Sequence, residues 1–291
     1  MKHSNLMILA GGISSRMKKS LEARANIDPG LKSEAQEKSK AMLGIGESSR
    51  PFLDYLLYNA REVGYNDVVI IISERDPSIR QYYGDKEKGN DFHGLSISYA
   101  VQTIPPDRTK PLGTADAVVR GLNVRKDWRG QKFTVCNSDN LYSRTVLKTL
   151  LDTDQPNAMI DYDRDALGFD ASRVAHFSVI HKDDEGFLTG IIEKPSAQEI
   201  EQAKGKLGAI GVSMNIFRLD YTMVLPFVTD VPLHPVRLEK ELPTAITNMV
   251  KRHPKSLYTY PFAEHVPDLT SIDDVERVKE YLSKEFGGMR W

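Results

Sequence analysis

The sequence contains a single cysteine, Cys136, in 291 residues, so no disulfide can form within the chain. It also lacks any apolar run near the roughly 18 residues that a membrane-spanning helix needs. Its first apolar run, residues 6–10, is shorter than the core of a signal peptide and ends at Gly11 and Gly12. We therefore expect a cytoplasmic protein, and the lone cysteine agrees with a reducing compartment.

An excess of charge of one sign is missing as well. The 39 basic and 40 acidic residues leave a formal net charge of -1. Such a balance gives no overall positive field for nucleic acid and no block of like charge that would bind a membrane surface. We therefore expect neither nucleic acid nor a membrane among the partners, and a homo-oligomer stays open.

Several catalytic patterns are absent too. The sequence shows no Ser-His-Asp or Cys-His arrangement, and none of its seven histidines has the spacing of metal ligands. Its adjacent glycines, Gly11 and Gly12, differ from the G-x-G-x-x-G fingerprint of dinucleotide binding, and no G-K-[ST] follows them. These absences argue against a nucleophilic hydrolase, a P-loop enzyme and a dinucleotide-dependent dehydrogenase.

Short apolar runs alternate with amphipathic segments in the first half of the chain. The pattern predicts strands at 6–10, 67–73, 95–101 and 133–136 and helices at 51–63 and 114–122. Helices between buried strands predict an α/β fold with a mainly parallel, Rossmann-like central sheet that helices cover on both faces.

The second half is more mixed. It predicts strands at 174–181, 188–192, 209–217 and 256–262 and helices at 196–204, 239–249 and 272–286. No linker is long enough to separate independent domains, so we expect one domain over 1–291, with halves of about 1–145 and 146–291. The polar stretch 20–39 is expected to be a mobile surface insertion with a short helix.

A glycine loop follows the first predicted strand. Residues 9–17 have the sequence L-A-G-G-I-S-S-R-M. Glycines let backbone N–H groups approach phosphate oxygens, and Arg16 can make bidentate contacts with a triphosphate. A plain loop with a surface arginine is the alternative.

This loop resembles the L-A-G-G-x-G-[ST]-R-[ML] signature of the sugar-phosphate nucleotidyltransferases, which include glucose-1-phosphate thymidylyl-, uridylyl- and adenylyltransferases. Ser14 stands where the third glycine of the signature usually lies. The resemblance implies a catalytic role for Arg16 at the triphosphate. It also implies a nucleotide-binding role for four loop residues, Leu9, Ala10, Gly11 and Gly12.

Two further segments resemble nucleotide-binding elements of that family. K-A-M-L-G-I at residues 40–45 is similar to K-P-[ML]-L-x-[IV], which implies that Lys40 is a second phosphate-binding cation. Gln102, Gly113 and Thr114 resemble the base-recognition elements, and the amide of Gln102 has both a donor and an acceptor for a base. A solvated lysine and a simple helix cap at Gly113–Thr114 are the alternatives.

The resemblance also implies a Mg²⁺ site. Asp139 follows the predicted strand 133–136, where α/β sheets commonly bind ligands, and it matches the metal-binding aspartate of the family. Asp268 is similar to the aspartate of the late D-x-G-T-P-[ED] motif. Two carboxylates with phosphate oxygens and water suit Mg²⁺, whereas a turn or helix cap is the alternative for each.

The acceptor side carries a looser resemblance. Glu193 and Lys194 match the E-K-P motif of the family. The match implies that Lys194 bridges the attacking and α-phosphates and that Glu193 accepts hydrogen bonds from acceptor hydroxyls. Residues 211–217 resemble the following strand of the family, which implies that Gly211 lines the sugar side. Phe177 stands where a small glycine often contacts the sugar, so we expect an acceptor pocket unlike that of the common glucose 1-phosphate enzymes.

The expected activity is therefore Mg²⁺-dependent transfer of a nucleoside monophosphate from a nucleoside triphosphate to a sugar 1-phosphate, which gives a nucleoside diphosphate sugar and pyrophosphate. Three alternatives stay open: a cytidylyltransferase for a non-sugar phosphate such as phosphocholine, a non-catalytic nucleotide-sugar sensor, and a glycosyltransferase. The last would need a D-x-D motif, and residues 137–139 supply one carboxylate.

Overall fold

The computed structural model describes residues 3–24, 27–175, 177–193, 195–204 and 209–291. The strands are β1 Asn5–Ala10, β2 Asp67–Ser73, β3 Asn90–Phe92, β4 Leu95–Gln102, β5 Lys132–Asn137, β6 Asn157–Asp163, β7 Ser178–Lys182, β8 Leu188–Ile192, β9 Gly211–Ser213, β10 Phe217–Asp220 and β11 Leu257–Phe262. The helices are α1 Ser15–Glu22, α2 Pro29–Glu37, α3 Phe52–Val63, α4 Ser78–Tyr83, α5 Thr114–Val124, α6 Arg144–Asp152, α7 Ala171–Val174, α8 Ala197–Gln202, α9 Tyr221–Asp230, α10 Leu242–Arg252 and α11 Val275–Phe286. Short 3₁₀ turns lie at Lys40–Met42, Glu47–Ser49, Lys126–Trp128, Arg164–Leu167 and Ile272–Asp274.

The strands form one sheet in the order β3-β4-β2-β1-β5-β10-β6-β9-β7-β8, with β11 also paired to β6. Strands β4, β2, β1 and β5 are parallel, whereas β10 runs antiparallel between β5 and β6. This confirms the predicted α/β fold, with a mainly parallel first half, in which the short edge strand β3 is antiparallel to β4, and a mixed second half. Leu9 at the end of β1 lies beside Asn137 at the end of β5, so the segments that follow these strands meet at one edge.

Helices cover the sheet on both faces. Leu6 and Ile8 of β1 pack in the core that contains residues of α3, α6 and α11, whereas Met7 packs with residues of α5, α9 and α10. Successive side chains of a strand point to opposite faces, so a strand buried on both sides is apolar throughout. This burial explains why the run at 6–10 shows no alternation with polar residues.

The second half departs from the predicted boundaries. Within 174–181 the strand begins only at Ser178, after the short helix α7. The predicted strand 209–217 is divided into β9 and β10, because Asn215 has a left-handed φ of 55° that interrupts the extended backbone.

The insertion 20–39 contains α2, which buries Ala35 in the core, and Gly44 N–H donates to Glu34 at 3.0 Å.

Seven elements had no counterpart in the sequence prediction: α1, α4, α6, α7, α9, β3 and β6. Pro226 lies inside α9, and a proline normally argues against a helix interior. Strand β6 carries Asn157 and Asp161, whose polar side chains are nonetheless buried.

Within the described chain, every helix is too short or too polar to cross a membrane.

Candidate active site

Two cavities lie side by side at the carboxyl edge of the parallel strands. The smaller, of about 370 Å³, is lined by residues that include Leu9, Ala10, Gly11, Gly12, Lys40, Gln102 and Gly113. The larger, of about 600 Å³, is lined by residues that include Asn140, Phe177, Glu193, Ser213, Arg237, Glu241 and Asp268. Both share Arg16, Thr114, Asn137, Asp139, Glu239 and Thr270. The two cavities therefore form one cleft, with room for two small ligands that meet near Asp139 and Arg16.

The glycine loop joins β1 to α1. A Cβ atom at Gly11 would lie 2.9 Å from Gln102 Oε1, so a larger residue cannot occupy this position without displacing Gln102. Ser14 has φ 53° and ψ 35°, a conformation in which glycine is unstrained, which explains why the family signature has glycine there. The side chain of Ser14, the N-cap residue of α1, makes no capping hydrogen bond to the first turn. The N–H groups of this turn and Arg16 thus face the cleft at the positive end of a helix.

Lys40 and Asp139 approach each other across the cleft. The Lys40 ammonium forms an ion pair with the Asp139 carboxylate, and the two side chains are 19% and 15% exposed. Lys40 N–H also donates to Ser14 Oγ at 3.3 Å, which connects the 3₁₀ turn to the glycine loop. The structure therefore places the predicted phosphate cation in contact with the predicted metal ligand.

The amide of Gln102 has a defined orientation. Gln102 Nε2 donates to the Gly113 carbonyl at 2.8 Å and to Asp116 Oδ2 at 3.0 Å. Both partners are acceptors only, so the nitrogen must face them and Oε1 is left on the side of Gly11. The sequence suggested that Gln102 offers a donor and an acceptor to a ligand. In the structure the Nε2 donor is used internally, which leaves the Oε1 acceptor for a ligand in the cleft.

Gly113 and Thr114 hold the neighbouring loop against the cleft. Gly113 has φ 113°, and a Cβ atom there would lie 2.6 Å from the Lys240 carbonyl oxygen. Thr114 Oγ1 accepts a hydrogen bond from Leu242 N–H at 2.9 Å. Thr114 therefore does not cap its own helix, α5, and instead accepts a hydrogen bond from the first backbone N–H of α10.

Asp139 and Asp268 lie on adjacent segments. Leu269 N–H donates to the Asp139 carbonyl at 2.8 Å, and Leu141 N–H donates to the Pro267 carbonyl at 2.9 Å. Burial raises the pKa of Asp268, and the nearby charge of Asp139 raises it further. Two carboxylates that repel each other in one cavity are a suitable donor set for a divalent cation.

No cluster of three His, Cys, Asp or Glu side chains suited to a metal is found in the part of the chain that the structure describes. A cation between Asp139 and Asp268 would therefore take its other ligands from substrate oxygens and water. Mg²⁺ usually binds in this way, through one or two carboxylates and the substrate phosphates.

Glu193 meets an arginine that the sequence did not indicate. Arg237 Nη2 donates to Glu193 Oε2 at 2.8 Å, and Arg237 Nη1 lies 2.8 Å from Glu241 Oε1. Burial raises the pKa of Glu241, which Arg237 opposes. Arg237, Glu239 and Glu241 precede α10 in a run of charged residues that is easily taken for a solvated surface.

Three predicted residues remain, namely Phe177, Gly211 and Lys194. Phe177 lines the larger cavity, and its ring meets that of Phe169 edge-on at 5.5 Å. Gly211 is in β9, where an added Cβ atom would overlap the buried carboxylate of Asp161. The geometry thus gives Gly211 a packing reason that the sequence did not suggest. Lys194 lies outside the described residues, so its predicted role stays a prediction.

Comparisons with known proteins identify the family of the chain. The sequence model of the nucleotidyl transferase family matches residues 35–260. The chain is 25% identical over 218 residues to glucose-1-phosphate adenylyltransferase 1 of Vibrio vulnificus, covering 74% of this chain and 49% of that protein. It is 25% identical over 136 residues to D-glycero-alpha-D-manno-heptose 1-phosphate guanylyltransferase of Aneurinibacillus thermoaerophilus, covering 47% and 46%. The chain thus spans about half the length of these curated relatives.

Solved structures show the same fold. A UDP-glucose pyrophosphorylase complexed with UDP-glucose superposes with a TM-score of 0.69 over 97% of this chain and 98% of that one, at 16% identity. A structure from Bacillus anthracis, solved as a putative glucose-1-phosphate thymidylyltransferase in complex with sucrose, superposes with a TM-score of 0.67 over 98% of this chain and 97% of that one, at 18% identity.

Proposed function

This chain belongs to the nucleotidyl transferase family, and we propose that it transfers a nucleoside monophosphate from a nucleoside triphosphate to a sugar 1-phosphate, with Mg²⁺ as cofactor. The products are a nucleoside diphosphate sugar and pyrophosphate. The observation that carries the proposal is the joined cleft. Its smaller part has the glycine loop and Gln102, its larger part has Glu193, and Arg16 and Asp139 border both.

The nucleotide occupies the smaller cavity in this proposal. A hydrogen-bond donor on the base edge faces Gln102 Oε1, since the amide nitrogen is already bonded to Gly113 and Asp116. The triphosphate lies along the glycine loop and the first turn of α1. Arg16 and Lys40 neutralise part of the roughly five to six negative charges that a triphosphate and a phosphate monoester carry together.

Asp139 and Asp268 would hold the Mg²⁺ ion. When bound, the ion would stabilise negative charge on the α-phosphate and on the leaving pyrophosphate. The two aspartates fit this task because both line the larger cavity and Asp139 also borders the smaller one.

The reaction itself needs no protein nucleophile. An oxygen of the acceptor phosphate forms a bond to the α-phosphorus, and the bond between the α-phosphorus and the bridging oxygen of the leaving pyrophosphate breaks. The attacking phosphate is already ionised at neutral pH, so no general base is required. Arg16 and the loop amides orient the triphosphate, and Lys194 remains our prediction for the cation that bridges the two phosphates.

The lining of the larger cavity favours a sugar over choline as the acceptor. A quaternary ammonium group is usually recognised by a cage of aromatic rings. Among the described residues that line this cavity, Phe177 is the single aromatic side chain. Glu193 and the asparagines Asn137 and Asn140 instead suit hydroxyl groups, which donate and accept hydrogen bonds.

Pyrophosphate release tests the proposal. Each nucleoside triphosphate is paired with a panel of sugar 1-phosphates and with phosphocholine, in the presence of Mg²⁺. We expect release that depends on one nucleotide and one sugar 1-phosphate and that Asp139→Asn lowers by at least about a hundredfold. The matched control is Asp230→Asn at the exposed end of α9.

Two results would contradict the proposal. Folded protein that binds nucleotide but releases no pyrophosphate with any sugar 1-phosphate favours a sensor. Release with phosphocholine alone favours the cytidylyltransferase alternative.

A further inference from the structure

Arg173 forms a clasp between two buried carboxylates. Its Nη2 donates to Asp268 Oδ2 at 2.6 Å, and its Nη1 donates to Asp274 Oδ1. The side chains of the two aspartates are only 10% and 4% exposed. The guanidinium also lies 4.5 Å from the centre of the Phe169 ring. An arginine with two carboxylates and an aromatic ring around it is held in one orientation.

The contact with Arg173 helps to fix the orientation of the Asp268 carboxylate. Thr270 Oγ1 donates to Asp268 Oδ1 at 2.8 Å, so each carboxylate oxygen accepts one hydrogen bond from the residues that the structure describes. Each oxygen retains a lone pair for another partner. Because Arg173 and Thr270 hold one oxygen each, the carboxylate cannot rotate freely, and its free lone pairs keep their direction.

We propose that Arg173 is a positioning residue that holds Asp268 in the orientation needed to share a divalent cation with Asp139. The inference rests on the proposed function, since it assigns Asp268 as a ligand. Arg173 need not touch either substrate. Groups that hydrogen-bond to a metal-binding carboxylate commonly contribute ten- to hundredfold to metal affinity.

The same clasp reaches the acceptor wall. Phe169, which lies under the Arg173 guanidinium, meets the ring of Phe177, and Phe177 lines the larger cavity. Asp274, the other partner of Arg173, accepts hydrogen bonds from Thr270 N–H at 3.0 Å and from Ser271 N–H at 2.6 Å. Arg173 therefore joins the loop that carries Asp268 to the wall against which the acceptor would bind.

Binding of Mn²⁺, followed by electron paramagnetic resonance, tests the inference on the full chain without turnover. The titration is made with a non-hydrolysable nucleoside triphosphate analogue for the unchanged protein, Arg173→Met and Arg173→Lys. We expect the Kd for Mn²⁺ to rise about tenfold or more in Arg173→Met. Arg173→Lys should lie in between, because a lysine cannot form the same planar fork to two carboxylates.

Arg24→Met is the matched control. Arg24 forms an ion pair with Asp273, next to Asp274, but both side chains are at least half exposed. Its removal should leave the Kd for Mn²⁺ unchanged. The thermal unfolding midpoint of each variant shows whether it is folded, and Arg173→Lys serves as the test variant should Arg173→Met not fold.

Three outcomes are decisive. A Kd for Mn²⁺ that rises in the Arg173 variants but not in Arg24→Met supports the inference. An unchanged Kd together with a lowered unfolding midpoint overturns it, since Arg173 is then structural only. Absence of Mn²⁺ binding by the unchanged protein overturns the metal part of the proposed function, and the inference with it.

Discussion

The ammonium of Lys40 and the carboxylate of Asp139 form an ion pair across the cleft, although we assign one to the triphosphate and the other to a cation. Both side chains are largely buried, so solvent screens the pair less than a surface ion pair. In the proposed function, binding of a triphosphate with its cation would separate the two groups. The Asp139 carboxylate would then bind the cation instead of Lys40, and the Lys40 ammonium would become available to a phosphate.

This exchange predicts how nucleotide affinity depends on metal. In the unchanged protein we expect the nucleotide that supports turnover to bind about tenfold or more tightly with Mg²⁺ than without it. In Asp139→Asn we expect this dependence to be largely lost, because the cation has lost a ligand. Metal-free affinity should instead rise a few-fold, since Lys40 is no longer neutralised, which corresponds to about 1 kcal/mol. Isothermal titration calorimetry measures both.

Lys40→Met supplies the opposing control. It should weaken nucleotide binding with and without Mg²⁺, because the phosphate loses a cation in both cases. Metal-free affinity that falls in Asp139→Asn would show that the ion pair does not hold Lys40 away from the nucleotide.

Gln102 predicts a stability effect that base recognition alone would not produce. In Gln102→Glu, a buried carboxylate would replace the nitrogen that now donates to Gly113 O and Asp116 Oδ2. It would face two acceptors and a like charge. We expect the free energy of unfolding to fall by about 2 kcal/mol or more, measured by chemical denaturation.

The double variant Gln102→Glu with Asp116→Asn is the control. An asparagine at position 116 can donate to the new carboxylate, so part of the stability should return. Equal stability of Gln102→Glu and the unchanged protein would mean that the amide nitrogen does not face Asp116.

Much of the fold followed from local patterns. The strand predicted at 67–73 has the same bounds as β2, because it is buried on both faces and therefore apolar throughout. Strand β6 escaped prediction because its polar residues are buried with partners from distant parts of the chain. Asn157 Nδ2 donates to the Ser256 carbonyl at 2.8 Å, and Asp161 pairs with Lys182. Periodicity cannot reveal such partners.

The residues of the candidate site also fall into two groups, those that a local motif indicates and those that only the fold brings together. The glycine loop, Lys40 and Gln102 lie in short motifs, so the sequence could indicate them one by one. Arg237 and Arg173 could not be found in this manner. Arg237 is 44 residues from Glu193, and Arg173 is 95 residues from Asp268, and only the folded sheet brings these pairs together.

Asp54 predicts a pH dependence of stability. Its side chain is fully buried and accepts hydrogen bonds from Tyr83 at 2.7 Å and Tyr82 at 3.1 Å. Burial raises the pKa of Asp54 above its ordinary value of 3.8, and the hydrogen bonds oppose the rise only in part. The folded state therefore keeps a proton that the unfolded state has lost. The stabilising contribution is full below the ordinary pKa and is lost as pH rises through the raised one.

Asp54→Asn should remove this contribution. We expect the difference in unfolding free energy, unchanged protein minus variant, to fall as pH rises above 3.8, with a slope of at most about 1.4 kcal/mol per pH unit. Denaturant unfolding at a series of pH values measures it. The exposed Asp91→Asn on β3 is the control. A difference that is independent of pH, or that grows with pH, would contradict the raised pKa.

Gly211 separates a packing role from a ligand role. A Cβ atom at this position would overlap Asp161 Oδ1, and Asp161 is 3% exposed and paired with Lys182, so it has little room to move. We expect Gly211→Ala to lower the free energy of unfolding by about 1–3 kcal/mol, as overpacked cores do. Gly288→Ala, where the added atom meets open space, should change it little.

Acceptor kinetics complete the test of Gly211, because the sequence predicted that it lines the sugar whereas its surroundings point to packing. If packing dominates, Gly211→Ala should lose stability while the KM for the nucleotide and the KM for the acceptor change in parallel. A raised KM for the acceptor alone, at unchanged stability, would return Gly211 to the acceptor site. It would also mean that Asp161 and Lys182 can move enough to admit a methyl group, which their burial argues against.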